Sequence, residues 1–293
     1  MKKIGLWLAV LATAVSPASA QISVEVLQDQ DQFLQGENLP VAVRITNRSG
    51  QTLHVGGEDN WLTFGVETPS GSVVRNTGDV PVREEFTLPS SKMGTKRVDI
   101  QPYFALNRPG RYLITASVRI PEWPREIPAS APKAFEIIEG TRMWEQEFGV
   151  PPVAGATNAV PEVRRYVLQQ ANYLKGQLRL YLRITDAAGA KTIRVFPIGA
   201  LVSVSRPEFQ VDQLSRLHAL FENGPHSFAY MVFNPDGEML VRQTYDFKNT
   251  RARLKAEADG NIAVVGGSRR ITRNDVPAHE PVDTTEPLKE STP

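Results

Sequence analysis

The sequence predicts an all-β protein: a β-sandwich followed by a small domain built from repeated strand units. Three observations carry that expectation. Period-two alternation of apolar and polar residues recurs through 22–138, each run closed by a turn rich in Gly, Pro, Asn or Ser. A strand–turn–strand segment recurs in the second half at spacings of 45 to 48 residues. The chain is 293 residues long and 41% hydrophobic, enough for about two domains with real cores.

Residues 1–20 read as a signal peptide. Lys2 and Lys3 precede an apolar run from Ile4 to Val15, and Ala18-Ser19-Ala20 supplies the small–x–small pattern of a cleavage site. The run is shorter than the roughly 18 residues of a membrane span. The expected mature chain begins at Gln21 and works in the periplasm or outside the cell. No cysteine is present, which excludes thiol catalysis, disulfides, thiolate metal sites and an acylated-cysteine anchor. With 33 basic and 32 acidic side chains the sequence lacks the charge excess of an electrostatic nucleic-acid binder.

Residues 21–138 are expected to form the sandwich. Val41, Val43 and Ile45 alternate with Ala42, Arg44 and Thr46, and Asn47-Arg48-Ser49-Gly50 makes a turn. Trp61–Val66 gives another strand, closed by Pro69-Ser70-Gly71. Tyr112, Ile114, Ala116 and Val118 form one face of a later strand. Pro109-Gly110-Arg111-Tyr112-Leu113-Ile114 resembles the tyrosine corner of immunoglobulin-type domains, with Ile114 in the cysteine position and Trp61 as the core tryptophan. The resemblance implies an immunoglobulin-like sandwich with Tyr112 buried and its hydroxyl bound to backbone of the preceding corner. It implies no activity.

Residues 139–160 read as a linker, because Gly149–Val160 is rich in Pro, Gly and Ala; Met143–Phe148 is expected to pack back on a domain. In 161–267, Leu180–Gly189 aligns with Phe228–Gly237, each a strand ending in an Asp/Asn-x-x-Gly turn that leads to a second strand. Phe209–Asp212 and Ser215–Leu220 align with Leu254–Glu257 and Gly260–Val265, and Pro161-Glu162-Val163 echoes Pro207-Glu208-Phe209. The period suits a propeller blade, but about two and a half copies predict a small repeat-built domain and not a closed ring. Residues 268–293, charged and rich in proline, are expected to be a disordered tail.

The pattern as a whole resembles bacterial exported proteins without an assigned role that join an N-terminal immunoglobulin-like domain to a C-terminal β-repeat domain. Asn38–Asn47, Arg108–Val118 and Leu217–Tyr245 with Gly266-Gly267 carry the resemblance.

Candidate chemistry is sparse. His218 and His226 flank a turn, yet the repeat places Ala263 opposite His218, so a strand histidine is expected and not a metal ligand. His54 and His279 add no third ligand at usable spacing. Glu58-Asp59-Asn60 and Asp29-Gln30-Asp31 are too few oxygens for calcium. Nucleophile elbows, phosphate loops and dinucleotide fingerprints are absent from the sequence. No catalytic residue, metal or cofactor is assigned. Tyr103, Phe104, Trp123 and Trp144 stand beside prolines or the linker; they are the candidate binding residues, for a protein partner or a sugar ring, against the plainer role of packing between domains. The expected function is a non-enzymatic binding or scaffold protein contacting an envelope or extracellular protein. Recognition of a carbohydrate or envelope polymer is the alternative, and an unrecognised hydrolase the third.

Overall fold

The computed structural model describes residues 21–277, apart from 83, 122, 124–126, 152–161, 174–175 and 203–205. The expected signal peptide, residues 152–160 of the expected linker and residues 278–293 of the expected tail lie outside the described residues.

The chain first runs through β1 (Ile22–Leu27), β2 (Gln32–Leu34), β3 (Pro40–Asn47), β4 (Leu53–Val55), β5 (Leu62–Glu67), β6 (Phe86–Leu88), β7 (Met93–Asp99), β8 (Gly110–Val118) and β9 (Lys133–Ile138). One sheet has the order β1-β3-β7 and a second the order β2-β9-β8-β5; β4 and β6 pair separately. All pairs are antiparallel except β2 with β9. Alternation decides which face is buried. Val41, Val43 and Ile45 of β3 and Tyr112, Ile114, Ala116 and Val118 of β8 point into one core between the two sheets. The outer face of the first sheet carries ion pairs such as Arg44–Glu25 at 3.3 Å and Arg97–Asp29 at 3.0 Å.

The tyrosine corner forms as expected. Tyr112 is buried, stacks on Phe135 and donates its hydroxyl hydrogen to the Arg108 carbonyl at 2.7 Å. Replacing Tyr112 with Phe leaves that carbonyl without its donor. The expected cost is about 1–2 kcal/mol, read by urea denaturation.

The second domain is a stack of meanders. β10 (Thr141–Gly149), β11 (Val163–Tyr173), β12 (Gln177–Asp186) and β13 (Thr192–Leu201) pair in chain order. β14 (Glu208–Val211), β15 (Leu217–Gly224), β16 (Ser227–Phe233) and β17 (Met239–Asp246) do the same. β18 (Arg253–Ala256) and β19 (Ile262–Val265) form a two-stranded unit, and β20 (Ser268–Arg270) pairs with the edge of β17. The fold is therefore all-β with repeated blade-like sheets. Among the described residues it contains a four-stranded unit, a second four-stranded meander extended by β20, and the two-stranded β18–β19, which stands as the first hairpin of a third.

Three clusters hold the stack. The first sheet packs on the second through Tyr166, Leu168, Leu182, Ile184, Phe221 and Phe233, among others. The second packs on the half unit through Leu220, Phe228, Tyr230, Val232 and Leu254. The other face of the first sheet meets the sandwich at Leu34, Ala171, Tyr181 and Val195. The predicted turns close the hairpins: Gly189 N–H donates to the Asp186 carbonyl at 3.0 Å and Gly237 N–H to that of Asn234 at 2.9 Å. Gly237 has φ +78°, and a Cβ there would meet Ile184 Cδ1 at 2.9 Å, so only glycine lets this turn settle on the preceding sheet.

Three expectations change. Thr141–Gly149 is not linker but β10, the first strand of the first sheet. A register shift between Arg142 and Trp144 breaks its period-two pattern, which hid it in the sequence. The tail does not begin at 268: β20 is held by backbone pairing to β17 and by Arg270–Asp246 at 2.8 Å, and Val276 exchanges backbone hydrogen bonds with Arg242. A strand held by polar groups carries no apolar signature. The echo of Pro207-Glu208-Phe209 in Pro161-Glu162-Val163 is out of phase, because Glu208 opens the first strand of its unit while Val163 opens the second.

Candidate functional site

The four aromatic candidates do not form one surface. Phe104 is buried in the sandwich core, and Tyr103 and Trp123 are half-buried against the same core. Trp123 lines a shallow cleft of about 490 Å³ with Val118, Ile120 and Ile127. Trp144 belongs to the other domain, where its ring lies 5.6 Å from that of Phe209 and ties β10 to β14. None of the four is in the cluster at the domain junction.

The histidines separate as well. His226 sits in the turn after β15, with φ +58° and its ring 6.0 Å from Phe247. His218 is at the opposite end of β15, so the two do not meet. Among the described residues no group of three or more His, Asp or Glu side chains is placed to hold a metal ion.

His218 instead lies at the centre of a buried hydrogen-bond chain. β15 turns Leu217, Ala219 and Phe221 toward the first sheet, which leaves His218 and Leu220 facing the half unit. His218 is 4% exposed. Its Nδ1 lies 2.8 Å from the Tyr230 hydroxyl and its Nε2 3.1 Å from Asp212 Oδ2. Asp212 heads the β14–β15 turn; its Oδ1 accepts the backbone N–H groups of Leu214 and Arg216, and its Oδ2 accepts from Arg216 Nε at 2.6 Å.

Burial holds the His218 imidazole below its ordinary value, with Asp212 pulling the other way. The ring is therefore neutral at pH 7. One tautomer satisfies both contacts: Tyr230 donates to Nδ1, and Nε2–H donates to Asp212. Burial pushes the Tyr230 hydroxyl up to about 12, so it stays protonated. Burial alone would raise Asp212, but the Arg216 backbone, His218 and the Arg216 guanidinium outweigh it and hold the carboxyl below the ordinary range. Each group is saturated by the next. What this chain does is fasten the β14–β15 turn to β16. The register brings Tyr230 into reach: it is two residues from Val232, the cross-strand partner of His218, and so diagonal to the ring.

A second polar cluster fixes the domains to each other. The Arg183 guanidinium donates to the Gln35 carbonyl at 2.5 Å, to Gln169 Oε1 at 2.9 Å and to Thr192 Oγ1 at 3.1 Å. Nearby, Glu37 is buried, accepts from Leu34 N–H at 2.7 Å and from the Gln30 amide at 3.3 Å. Burial raises its carboxyl above the ordinary 4.5, against the pull of those donors and of Arg179. The Tyr181 hydroxyl beside it is pushed up to about 12, by burial first and then by Glu37.

A carboxyl raised on folding stabilises the fold below pH 4.5, and that contribution fades as pH climbs through its folded value. Glu37→Gln removes the ionisation. Its melting temperature should match the parent near pH 4 and exceed it at pH 8. A variant curve parallel to the parent's would refute this.

No family model matches the chain, and no curated protein does. Among solved structures, the chain is similar to Spo0M, a sporulation control protein from Bacillus subtilis, with 8% identity, a TM-score of 0.27, and coverage of 61% of this chain and 91% of that one.

Proposed function

We propose that this is a non-enzymatic binding or scaffold protein of the bacterial periplasm or exterior, and that it contacts an envelope or extracellular protein. The observation that carries the reading is the build of the stack. One end is capped by the sandwich through Leu34, Tyr181 and Arg183, and the other, among the described residues, ends on a two-stranded half unit. Two modules packed on each other, with loops at the sandwich ends and a two-stranded sheet at the far end, suit presentation of surfaces to a partner. The buried Asp212 and His218 fasten a turn, and Glu37 holds β2 at the domain junction.

The first domain reads as immunoglobulin-like. Its strand order, with β2 crossing to lie parallel to β9, and its tyrosine corner support that assignment. Among the described residues no helix is long and apolar enough to cross a membrane. Export rests on residues 1–20 of the sequence.

Proximity labelling in the native host tests the reading. Envelope proteins should be enriched over a secreted control, and the recovered chain should begin at Gln21 by mass spectrometry. A chain that retains Met1, or labelling that matches the control, overturns it.

A further inference from the structure

We propose that β19 is a receiving edge for an extended peptide strand of alternating apolar and acidic residues, supplied by the partner. This rests on the reading of the protein as an envelope-binding module and names the surface and the partner chemistry.

The two complete units show what β19 lacks. In each, the second strand is paired on both sides: β11 between β10 and β12, and β15 between β14 and β16. β19 is the second strand of the third unit and, among the described residues, pairs with β18 alone.

Its backbone is turned outward. Leu254 lies opposite Val264, and Leu254 N–H donates to Glu208 Oε2 at 2.8 Å, away from β19. Leu254 and Val264 are thus a non-hydrogen-bonded pair of the antiparallel ladder. The N–H and C=O of Val264 therefore point to the open edge, and by the same alternation so do those of Ile262.

The side chains set what fits. Leu254, Ile262 and Val264 face inward onto Leu220, Phe228 and Tyr230. A strand added to β19 would extend that layer, so every second residue should be apolar. The other face presents Arg253 opposite Val265 and Lys255 opposite Ala263. Arg253 and Lys255 are exposed, and neither holds an ion pair with a described residue. An added strand would lie two spacings from β18, about 10 Å away. A lysine or arginine stem lying across Ala263 or Val265 and a glutamate reaching back span that gap together. Charge complementarity therefore asks for carboxylates on the outward face of the incoming strand. Glu257 and Asp259 lie beyond the Ile262 end, so the carboxylates belong opposite Ala263 and Val265.

The test uses the full exported chain and a labelled short peptide of alternating valine and glutamate, followed by fluorescence anisotropy. The valine–lysine counterpart should bind at least about tenfold more weakly. Val264→Pro removes an outward N–H without touching the bonds to β18, and should weaken the glutamate peptide by a similar factor. The double charge reversal Arg253→Glu, Lys255→Glu should do the same and raise the affinity of the lysine peptide. It leaves the inward layer intact, so it decides the matter if the proline variant misfolds by circular dichroism. Absence of binding, equal binding of the two peptides, or indifference to the charge reversal overturns the proposal. So does sedimentation showing a dimer lost in the charge-reversed chain, which would give the edge to a second copy. Proximity labelling is independent: envelope proteins labelled by a chain that ignores the peptide would sink the edge assignment alone.

Discussion

His218→Ala is expected to lower the stability of the second domain by about 2–4 kcal/mol, because it strands two buried groups at once. Tyr230 loses the acceptor for its hydroxyl, and Asp212 Oδ2 loses one donor while it remains charged and 2% exposed at its side chain. Truncation also leaves a void between β15 and the half unit. Tyr230→Phe removes the hydroxyl and leaves Nδ1 unbonded, and should cost less, about 1 kcal/mol. Calorimetry of the three chains gives the order. A His218→Ala chain that melts with the parent would mean that water replaces the ring without loss.

The same cluster fixes the acid response. A histidine whose folded value is depressed stabilises the fold above its unfolded value of 6.5, and that contribution is lost as pH falls through the folded value. The parent should therefore lose more stability than His218→Ala on acidification from pH 7 toward pH 5. Asp212, held below 3.8, contributes only at still lower pH and leaves this window clean. Glu37 works in the opposite sense, since its raised carboxyl favours the fold as pH falls. Comparing the two single variants separates the junction between domains from the fastening of the β14–β15 turn.

What the sequence revealed, and what it hid, follows from how each part is held. Strands with one buried face are legible as alternation, as β3 and β8 are; β12 and β16, buried on both faces, are legible through the repeat and the turns that Gly189 and Gly237 close. Tyr112 was legible because a corner needs glycine and tyrosine at fixed offsets. β10 and β20 were not, one because a bulge shifts its period, the other because ion pairs and backbone hold it. Asp212, Tyr230, Glu37 and Arg183 were invisible as a group: their partners lie on neighbouring strands, and no spacing along the chain encodes those meetings. The repeat puts Ala263 in the place of His218 and so gave no sign of the Tyr230–His218–Asp212 chain.

Trp61→Ala is expected to cost the sandwich about 3–5 kcal/mol, the range for removing a fully buried aromatic. Trp61 is 1% exposed and stands just before β5. Its ring meets Phe86 edge-on at 6.1 Å, which joins the small β4–β6 pair to the main core. Its Nε1–H donates to the Val82 carbonyl at 2.8 Å and so anchors the long segment between β5 and β6. The variant thus loses volume, an aromatic contact and a buried hydrogen bond together. Trp61→Phe keeps most of the volume and should cost about 1–2 kcal/mol, chiefly the orphaned carbonyl. The cores of the two domains share no residue, and the junction is a small cluster with a few hydrogen bonds. Calorimetry should therefore resolve two transitions in Trp61→Ala, with only the sandwich shifted to lower temperature and the transition that responds to His218→Ala left in place. A single transition that moves as a whole in both variants would mean that Arg183, Tyr181 and Leu34 couple the domains into one cooperative unit.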